Sequence, residues 1–440
     1  MKTAINTLLD EYYNFSLPDM TRRLTPFTML NRKATVVIGM RRTGKTWFCY
    51  QKMKDLMGEG IDRSRILYLS FDDDRLFGFN VKDFQSILDV YYARYPENKE
   101  KTCYFFFDEI QLIDHWELFI RRLIDRENIQ IVLTGSSSKL LSTEIATSLR
   151  GRTYTCEIFP MSFREYLLAT GTFSKLPETF GPATEAKLRN AMGKYFVSGG
   201  FPETIGLPVF ERQILLQGYL DTVLFRDVVE RYDVKNVIAL RHLIQEILHS
   251  PGQKFSVSKF YNSLRNLGVE CDKNSLYTYI DHLSDAFLFY KVPVYTKSER
   301  IRRVNPAKIY TIDPGVLYTT LSGSMDNNGP FLENMVFNYL RPMARSVEYV
   351  QPKESGEVDF LVTDYFNRSK LIQVAWSLAN QQTFEREVNS LVTASESLNI
   401  HDCTIVTWDE EKELPNGIRI IPVWKFLLSD SYETRNCCQD

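Results

Sequence analysis

Residues 39–46 read Gly39-Met40-Arg41-Arg42-Thr43-Gly44-Lys45-Thr46, a complete G-x-x-x-x-G-K-[ST] phosphate loop directly after the apolar run Ala34-Thr35-Val36-Val37-Ile38. Gripping a polyphosphate needs that placement: a strand brings the chain to a sheet edge, the glycines let the backbone curl, and its amides point inward at phosphate oxygens. Lys45 carries positive charge to the β- and γ-oxygens, and the Thr46 hydroxyl is a Mg²⁺ ligand. The whole loop is the expected ATP contact. Residues Thr102 to Glu109 then form an almost uninterrupted apolar stretch closed by two carboxylates. A strand buried on both faces ends in this way at a ligand crevice. Asp108 is expected to orient Mg²⁺ through its waters and Glu109 to polarise an attacking water. Acidic pairs after apolar strands also cap helices, but the phosphate loop upstream favours the metal and base roles.

A third apolar stretch, Ile129 to Thr134, runs into Gly135-Ser136-Ser137-Ser138. Where an extra strand lies beside the Glu-bearing one, a polar residue at its end senses the γ-phosphate. Ser136 is the candidate, although serines here equally cap a turn. Arg150 and Arg152 follow in Ser148-Leu149-Arg150-Gly151-Arg152. Either could be an arginine finger, in cis or from a neighbouring subunit, or simply a surface ion pair. Further on, Gly199-Gly200-Phe201-Pro202-Glu203 interrupts a helical stretch. Such a break makes a hinge or a rigid contact, with Pro202 as the adenine-facing candidate, or an ordinary interhelix turn.

Strands alternate with helices up to about Ile158, including a strand at Ile66–Leu69 and a helix from Val81 to Tyr92, so a doubly wound parallel sheet is expected. These elements set the expected domains. Residues 1–161 form the phosphate-loop core, 162–236 a helical lid, 237–325 a winged helix-turn-helix and 326–440 a final α/β domain. The winged helix rests on three helical segments, Ala239 to Ser250, Val257 to Asn266 and Asn274 to Phe287, followed by a β pair, Phe289 to Tyr295 and Lys308 to Ile312. Lys297, Arg300, Arg302, Arg303 and Lys308 crowd that hairpin, a basic wing suited to a phosphate backbone. Asp281 and Asp285 on the third helix favour a protein contact as much as DNA.

In the last domain Glu333, then Asp359 in Glu357-Val358-Asp359, then Gln373-Val374-Ala375 have the layout of a Mg²⁺-dependent PD-(D/E)XK nuclease. A working copy would carry Glu and Lys where this chain has Gln373 and Ala375. Glutamine holds Mg²⁺ less strongly than a carboxylate and alanine offers no cation, so the domain is expected to be catalytically silent.

With 440 residues, 44% hydrophobic and 25% charged, the chain is globular and too long for one core. A net charge of −2 argues against a protein that coats nucleic acid uniformly. Seven scattered cysteines without a C-x-x-C pair look like reduced thiols. No secretion signal or membrane-length apolar run is visible, so a cytoplasmic protein without membrane contact is expected.

Taken together, these motifs resemble a family of bacterial and archaeal AAA-type ATPases with a C-terminal nuclease-like domain, related to the archaeal signal-transducing ATPases. The resemblance spans nearly the whole chain. It rests on residues 39–46, Phe107-Asp108-Glu109-Ile110-Gln111, residues 133–138, Leu149 to Arg152, Pro160 to Tyr166, Gly199 to Glu203, Glu333-Asn334, Val358-Asp359-Phe360 and Gln373-Val374. It implies ATP binding and slow hydrolysis to ADP and phosphate by a molecular switch, with the biological process undefined and no activity on DNA implied. The residues themselves add Mg²⁺ as cofactor and leave DNA through the winged helix, a protein partner or self-association as the expected contacts. The alternatives are a signalling scaffold that touches no nucleic acid and an ATP-regulated metal-dependent nuclease.

Overall fold

A computed structural model describes residues 1–136, 149, 151–321, 328–352 and 356–429. Arg150, Ser137, Ser138, Cys437 and Cys438 lie outside these described residues. The chain divides into two compact units, residues 1–159 with the short segment 285–287, and the remainder.

In the first unit the five strands β1 (Ala34–Ile38), β2 (Ile66–Ser70), β3 (Cys103–Asp108), β4 (Ile129–Gly135) and β5 (Thr153–Glu157) form one sheet in the order β2-β3-β4-β1-β5. Every pairing is parallel. All five β1 residues are buried, as parallel strands covered by helices on both faces must be. On one face Val37, Phe106 and Val132 pack with Phe48, Met53 and Leu56 of the helix Lys45–Gly58. On the other, Phe84 of the helix Phe84–Arg94 stacks on Phe119 of the helix Trp116–Arg126, ring centroids 4.5 Å apart. The helix Lys2–Asn14 buries Ile5, Leu9 and Tyr12.

Register decides what meets at the sheet's edge. Ile38 pairs with Gly135, and Ser70 with Asp108. Strands β1, β3 and β4 therefore end together, with β4 inserted between the strand feeding the phosphate loop and the strand bearing the acidic pair.

The second unit opens with the helix Phe163–Ala169, started by a reciprocal capping box between Ser162 and Glu165. Helices Pro182–Ser198 and Val209–Thr222 follow, and the latter continues as a π-helical stretch, Val223–Glu230. Three helices, Val237–His249, Val257–Asn266 and Lys273–Asp285, lead to an antiparallel pair, β6 (Phe289–Val292) and β7 (Lys308–Thr311). The link between these strands holds a short helix, Glu299–Val304, where a plain hairpin tip was expected. Its Ser298 cap explains the difference, since the Ser298 hydroxyl accepts from the Ile301 amide.

The remainder of the unit runs helix Gly329–Leu340, β8 (Ser346–Val350), β9 (Val358–Thr363), β10 (Ser369–Val374), helix Gln381–Leu398 and β11 (Cys403–Thr407). It closes with β12 (Lys412–Glu413) and β13 (Arg419–Pro422). β8, β9 and β10 form an antiparallel meander, while β11 runs parallel to β10 and β13 parallel to β11. The described cysteines are free thiols, with Cys49, Cys103, Cys156 and Cys403 buried. Among the described residues no helix is long and apolar enough to cross a membrane.

Candidate nucleotide site

The phosphate loop leaves β1 through two backbone conformations that favour glycine, Gly39 at φ 143° and Gly44 at φ 93°. A Cβ on Gly39 would lie 2.2 Å from the Ile158 carbonyl oxygen, so residue 39 must be bare for the loop to close against β5's exit. Arg42 also has positive φ, 68°, and its side chain is exposed, whereas Met40 is fully buried and serves the core. Inside the loop the Thr43 hydroxyl donates to the Met40 carbonyl at 2.9 Å. The Lys45 ammonium lies across the loop, donating to the Gly39 and Met40 carbonyls at 3.1 and 3.0 Å.

The two expected halves of the site meet. The Thr46 hydroxyl, on the first turn of the helix Lys45–Gly58, donates to Asp108 Oδ2 at 2.7 Å. Glu109 follows Asp108 in a left-handed conformation, φ 53°, a turn that takes the chain away from the strand at the edge. Its carboxylate accepts from the Gln111 side-chain amide. Ser136 lies one residue beyond the β4 end, fully buried, and among the described residues its hydroxyl has no hydrogen-bond partner. A buried hydroxyl left orphaned beside a phosphate loop fits an anionic ligand.

Three further residues hold the site: Tyr68 and Arg23 carry no motif in the sequence, and Thr134 lies within the 133–138 motif, where the sequence assigns it no role. The Thr134 hydroxyl donates to Asp108 Oδ1 and accepts from the Glu109 amide at 3.0 Å, so one oxygen holds both members of the acidic pair. The Tyr68 hydroxyl on β2 donates to Asp108 Oδ2 at 2.8 Å. Burial, then the Asp108 charge, push the Tyr68 phenol well up, which keeps it a donor. Arg23 is buried, giving one guanidinium nitrogen to the Thr43 carbonyl at 2.8 Å and another to the Phe159 carbonyl at 2.7 Å. Its amide and carbonyl bond to the Gln51 side chain. It thereby ties the loop to the segment after β5.

Two expectations are corrected. Thr153 pairs with Ala34, so Arg152 sits at the start of β5, roughly 15–20 Å from the loop at strand rise per residue. It is ion-paired with Asp125 and cannot reach its own chain's phosphate site. The basic wing is also smaller than its sequence. Lys308 is buried among carboxylates and Arg302 pairs with Glu348, whereas Lys297, Arg300 and Arg303 are exposed.

The Gly199-Gly200 break makes a rigid contact within the second unit. The Gly200 amide donates to Asp313 Oδ2 at 2.7 Å, and a Cβ on Gly199 would lie 1.9 Å from Asp313 Oδ1. Burial pushes the Asp313 carboxyl up to about 6, against three backbone amide bonds that work to lower it. Pro202 opens the short turn Pro202–Thr204 beside this contact and is half-buried.

Comparison with known sequences finds two families. One described as an AAA domain matches residues 31–167, and a domain of unknown function, DUF8612, matches residues 189–327. The uncharacterised protein MJ1544 of Methanocaldococcus jannaschii is 32% identical over 415 residues, covering 91% of this chain and 89% of its own length. A Haemophilus influenzae protein is 32% identical over 327 residues, covering 74% and 78%. Among solved structures, AMPPCP-bound DnaA from Aquifex aeolicus covers 63% of this chain and 88% of its own, at 17% identity and a TM-score of 0.26. PCH-2 of C. elegans covers 49% and 61%, at 14% identity and a TM-score of 0.28. Scores this low carry no functional comparison.

Proposed function

We propose that this chain, which belongs to the same family as the Methanocaldococcus jannaschii protein MJ1544 and matches an AAA domain over residues 31–167, is an ATP-binding molecular switch that hydrolyses ATP slowly with Mg²⁺. One observation carries the reading: the phosphate-loop hydroxyl of Thr46 lies 2.7 Å from Asp108, with the Glu109 carboxylate next in the chain. Thr46 and Asp108 would hold Mg²⁺, which when bound offsets charge on the phosphate oxygens. Lys45 supplies the loop's cation and the amides of residues 39–46 its donors. Glu109 takes the proton of the attacking water, and Ser136 senses the γ-phosphate. The Gln111 side-chain amide occupies one oxygen of the Glu109 carboxylate, which supports a slow rate.

Phosphate release under single-turnover conditions tests the reading. Glu109→Gln should keep ATP bound and stop release. Turnover at the wild-type rate would reassign Glu109, and an absence of calorimetric ATP binding by the wild type would refute the proposal.

We read residues 237–311 as a winged helix and residues 329–422 as a PD-(D/E)XK-like domain that does not cut. The helix-β-β-β-helix-β order supports the second. The Gln373 side-chain amide is engaged with Glu387 and Ala375 supplies no cation, which supports silence. A nucleic-acid contact falls to Lys297, Arg300 and Arg303. If two of these touch phosphates, Arg300→Ala/Arg303→Ala should flatten the salt dependence of DNA affinity by about two units of slope. Equal slopes favour a cytoplasmic scaffold that meets protein instead.

A further inference from the structure

A cavity of about 490 Å³ in the second unit is lined by Glu333, Glu357, Asp359 and Glu387 together with Gln373 and Trp376. Four carboxylates in one cavity would suggest a cation site. The cation is already present, and it belongs to the chain. Lys308, on β7, is buried, and its ammonium lies 2.8 Å from Glu333 Oε1, 2.8 Å from Glu357 Oε1 and 2.9 Å from Asp359 Oδ1. Three oxygens from a helix, a loop and a strand thus converge on one nitrogen whose three hydrogens match them in number.

The neighbours hold each oxygen in place. Tyr310 donates to Glu333 Oε1 at 2.6 Å, and the Val374 amide donates to Asp359 Oδ2 at 3.0 Å. The Lys254 ammonium lies 2.5 Å from Glu357 Oε2. Gln373 accepts from the Asp359 amide at 3.1 Å and donates to Glu387 at 2.7 Å, so its amide braces the site without facing the ammonium.

The buried charges are paired. Burial, with the Asp359 charge, pushes the Glu333 carboxyl up, while the Lys308 ammonium and the bond from Tyr310 work to lower it. Burial works against the Lys308 ammonium, yet the carboxylates, Asp359 foremost, hold its pKa raised. Burial also presses Glu357 upward, and Lys308 and Lys254 together hold it below its ordinary value. Two ammoniums, Lys308 and Lys254, thus lie against the acidic side chains Glu333, Glu357 and Asp359, and such pairing is how a buried ionic cluster avoids a stranded charge.

We propose that the Lys308 ammonium is a built-in counter-cation seated where a divalent ion would sit, so that the acidic site works without metal and becomes a Ca²⁺ site once that ammonium is removed. Among the described residues no group of three His, Cys, Asp or Glu side chains is arranged as a metal site. The Lys308 contacts give the reason, because the ammonium keeps the oxygens at hydrogen-bond distance. Ca²⁺ takes oxygens at about 2.3–2.6 Å, a contraction of a few tenths of an ångström, whereas Mg²⁺ needs about 2.0–2.1 Å and a much larger one. The vacated site should therefore prefer Ca²⁺ to Mg²⁺. The inference is independent of the ATP reading.

The experiment uses full-length protein with Asp108→Asn in every sample, to remove the metal-side carboxylate of the first unit. Tb³⁺, a Ca²⁺ stand-in, is titrated while its luminescence is excited through Trp376 on the cavity wall. Lys308→Ala should give saturable luminescence displaced by Ca²⁺ before Mg²⁺, at an affinity at least about a hundredfold above wild type, a modest allowance for a like charge at contact distance. Adding Glu333→Gln and Asp359→Asn should abolish it. Equal Tb³⁺ affinity in wild type and Lys308→Ala overturns the proposal. Should Lys308→Ala not fold in metal-free buffer, refolding from urea with Ca²⁺ replaces the titration. Recovery only with Ca²⁺ supports the proposal, and recovery in neither condition overturns it.

Discussion

Replacing Thr134 with valine keeps the side-chain shape and deletes the hydroxyl that joins β4 to both members of the acidic pair. Thr134 is 1% exposed, so water has little access to make good the loss. Its donated bond goes to a carboxylate, a class worth about 1.5–3 kcal/mol. Asp108 keeps its bonds from Thr46 and Tyr68, which places the cost near the lower end. The accepted bond, 3.0 Å from the Glu109 amide, has no replacement, and an unpaired buried donor costs about 1–3 kcal/mol. The new methyl returns about 0.8 kcal/mol of apolar burial. The net loss should be about 2–3 kcal/mol. Thr134→Ser keeps both bonds and should lose about 1 kcal/mol from the missing methyl.

A chain of two units need not unfold in one step, so the relevant urea transition is the one that ATP shifts to higher denaturant. Thr134→Val should move that transition more than Thr134→Ser does. It should also slow phosphate release more than it weakens ATP binding, since the Glu109 backbone loses its anchor. A loss below about 1 kcal/mol, or serine and valine behaving alike, would refute the bridging role of this hydroxyl.

Lys45→Ala should cost about 1.5–3 kcal/mol of ATP affinity, measured by calorimetry, because a charge-assisted contact is removed. Gln111→Ala should raise single-turnover hydrolysis several-fold by releasing the Glu109 carboxylate, and an unchanged rate would show that the bond has no hold on the base. Gly39→Ala forces a Cβ to 2.2 Å from the Ile158 oxygen at φ 143°, so it should abolish ATP binding and cost more than about 3 kcal/mol in the same urea transition. For Asp313 the sign follows from a folded pKa raised from 3.8 to about 6. The folded state binds more protons between these values, so stability from this group is fully present below pH 3.8 and is lost as pH rises through 6, about 3 kcal/mol in all and about 2 kcal/mol of it between pH 4 and 6. Asp313→Asn should lose that fall across a urea series from pH 4 to 6, even though the amide weakens the bond from Gly200.

The phosphate loop, the Asp108-Glu109 pair and the strands feeding them were legible in the sequence because each depends on neighbours along the chain: an apolar run, then glycines or carboxylates at fixed spacing. The three helices and strand pair of residues 237–311 were legible for the same reason, through periodicity and capping residues. Tertiary structure decided which strands lie side by side. Placing β4 between β1 and β3 brings Thr134 to Asp108 and Glu109, and placing β2 next to β3 brings Tyr68 to the same carboxylate. Arg152 fell on the wrong edge because nearness in sequence to Ser136 says nothing about which end of β5 it starts. The fate of Lys308 was equally hidden. Along the chain it is one of five cations that suggest a basic wing, but its carboxylate partners Glu333 and Asp359 lie 25 and 51 residues further on. Local sequence sets backbone preference and the order of polar and apolar faces. Which buried charge finds which partner depends on long-range packing, and burial then makes that pairing obligatory.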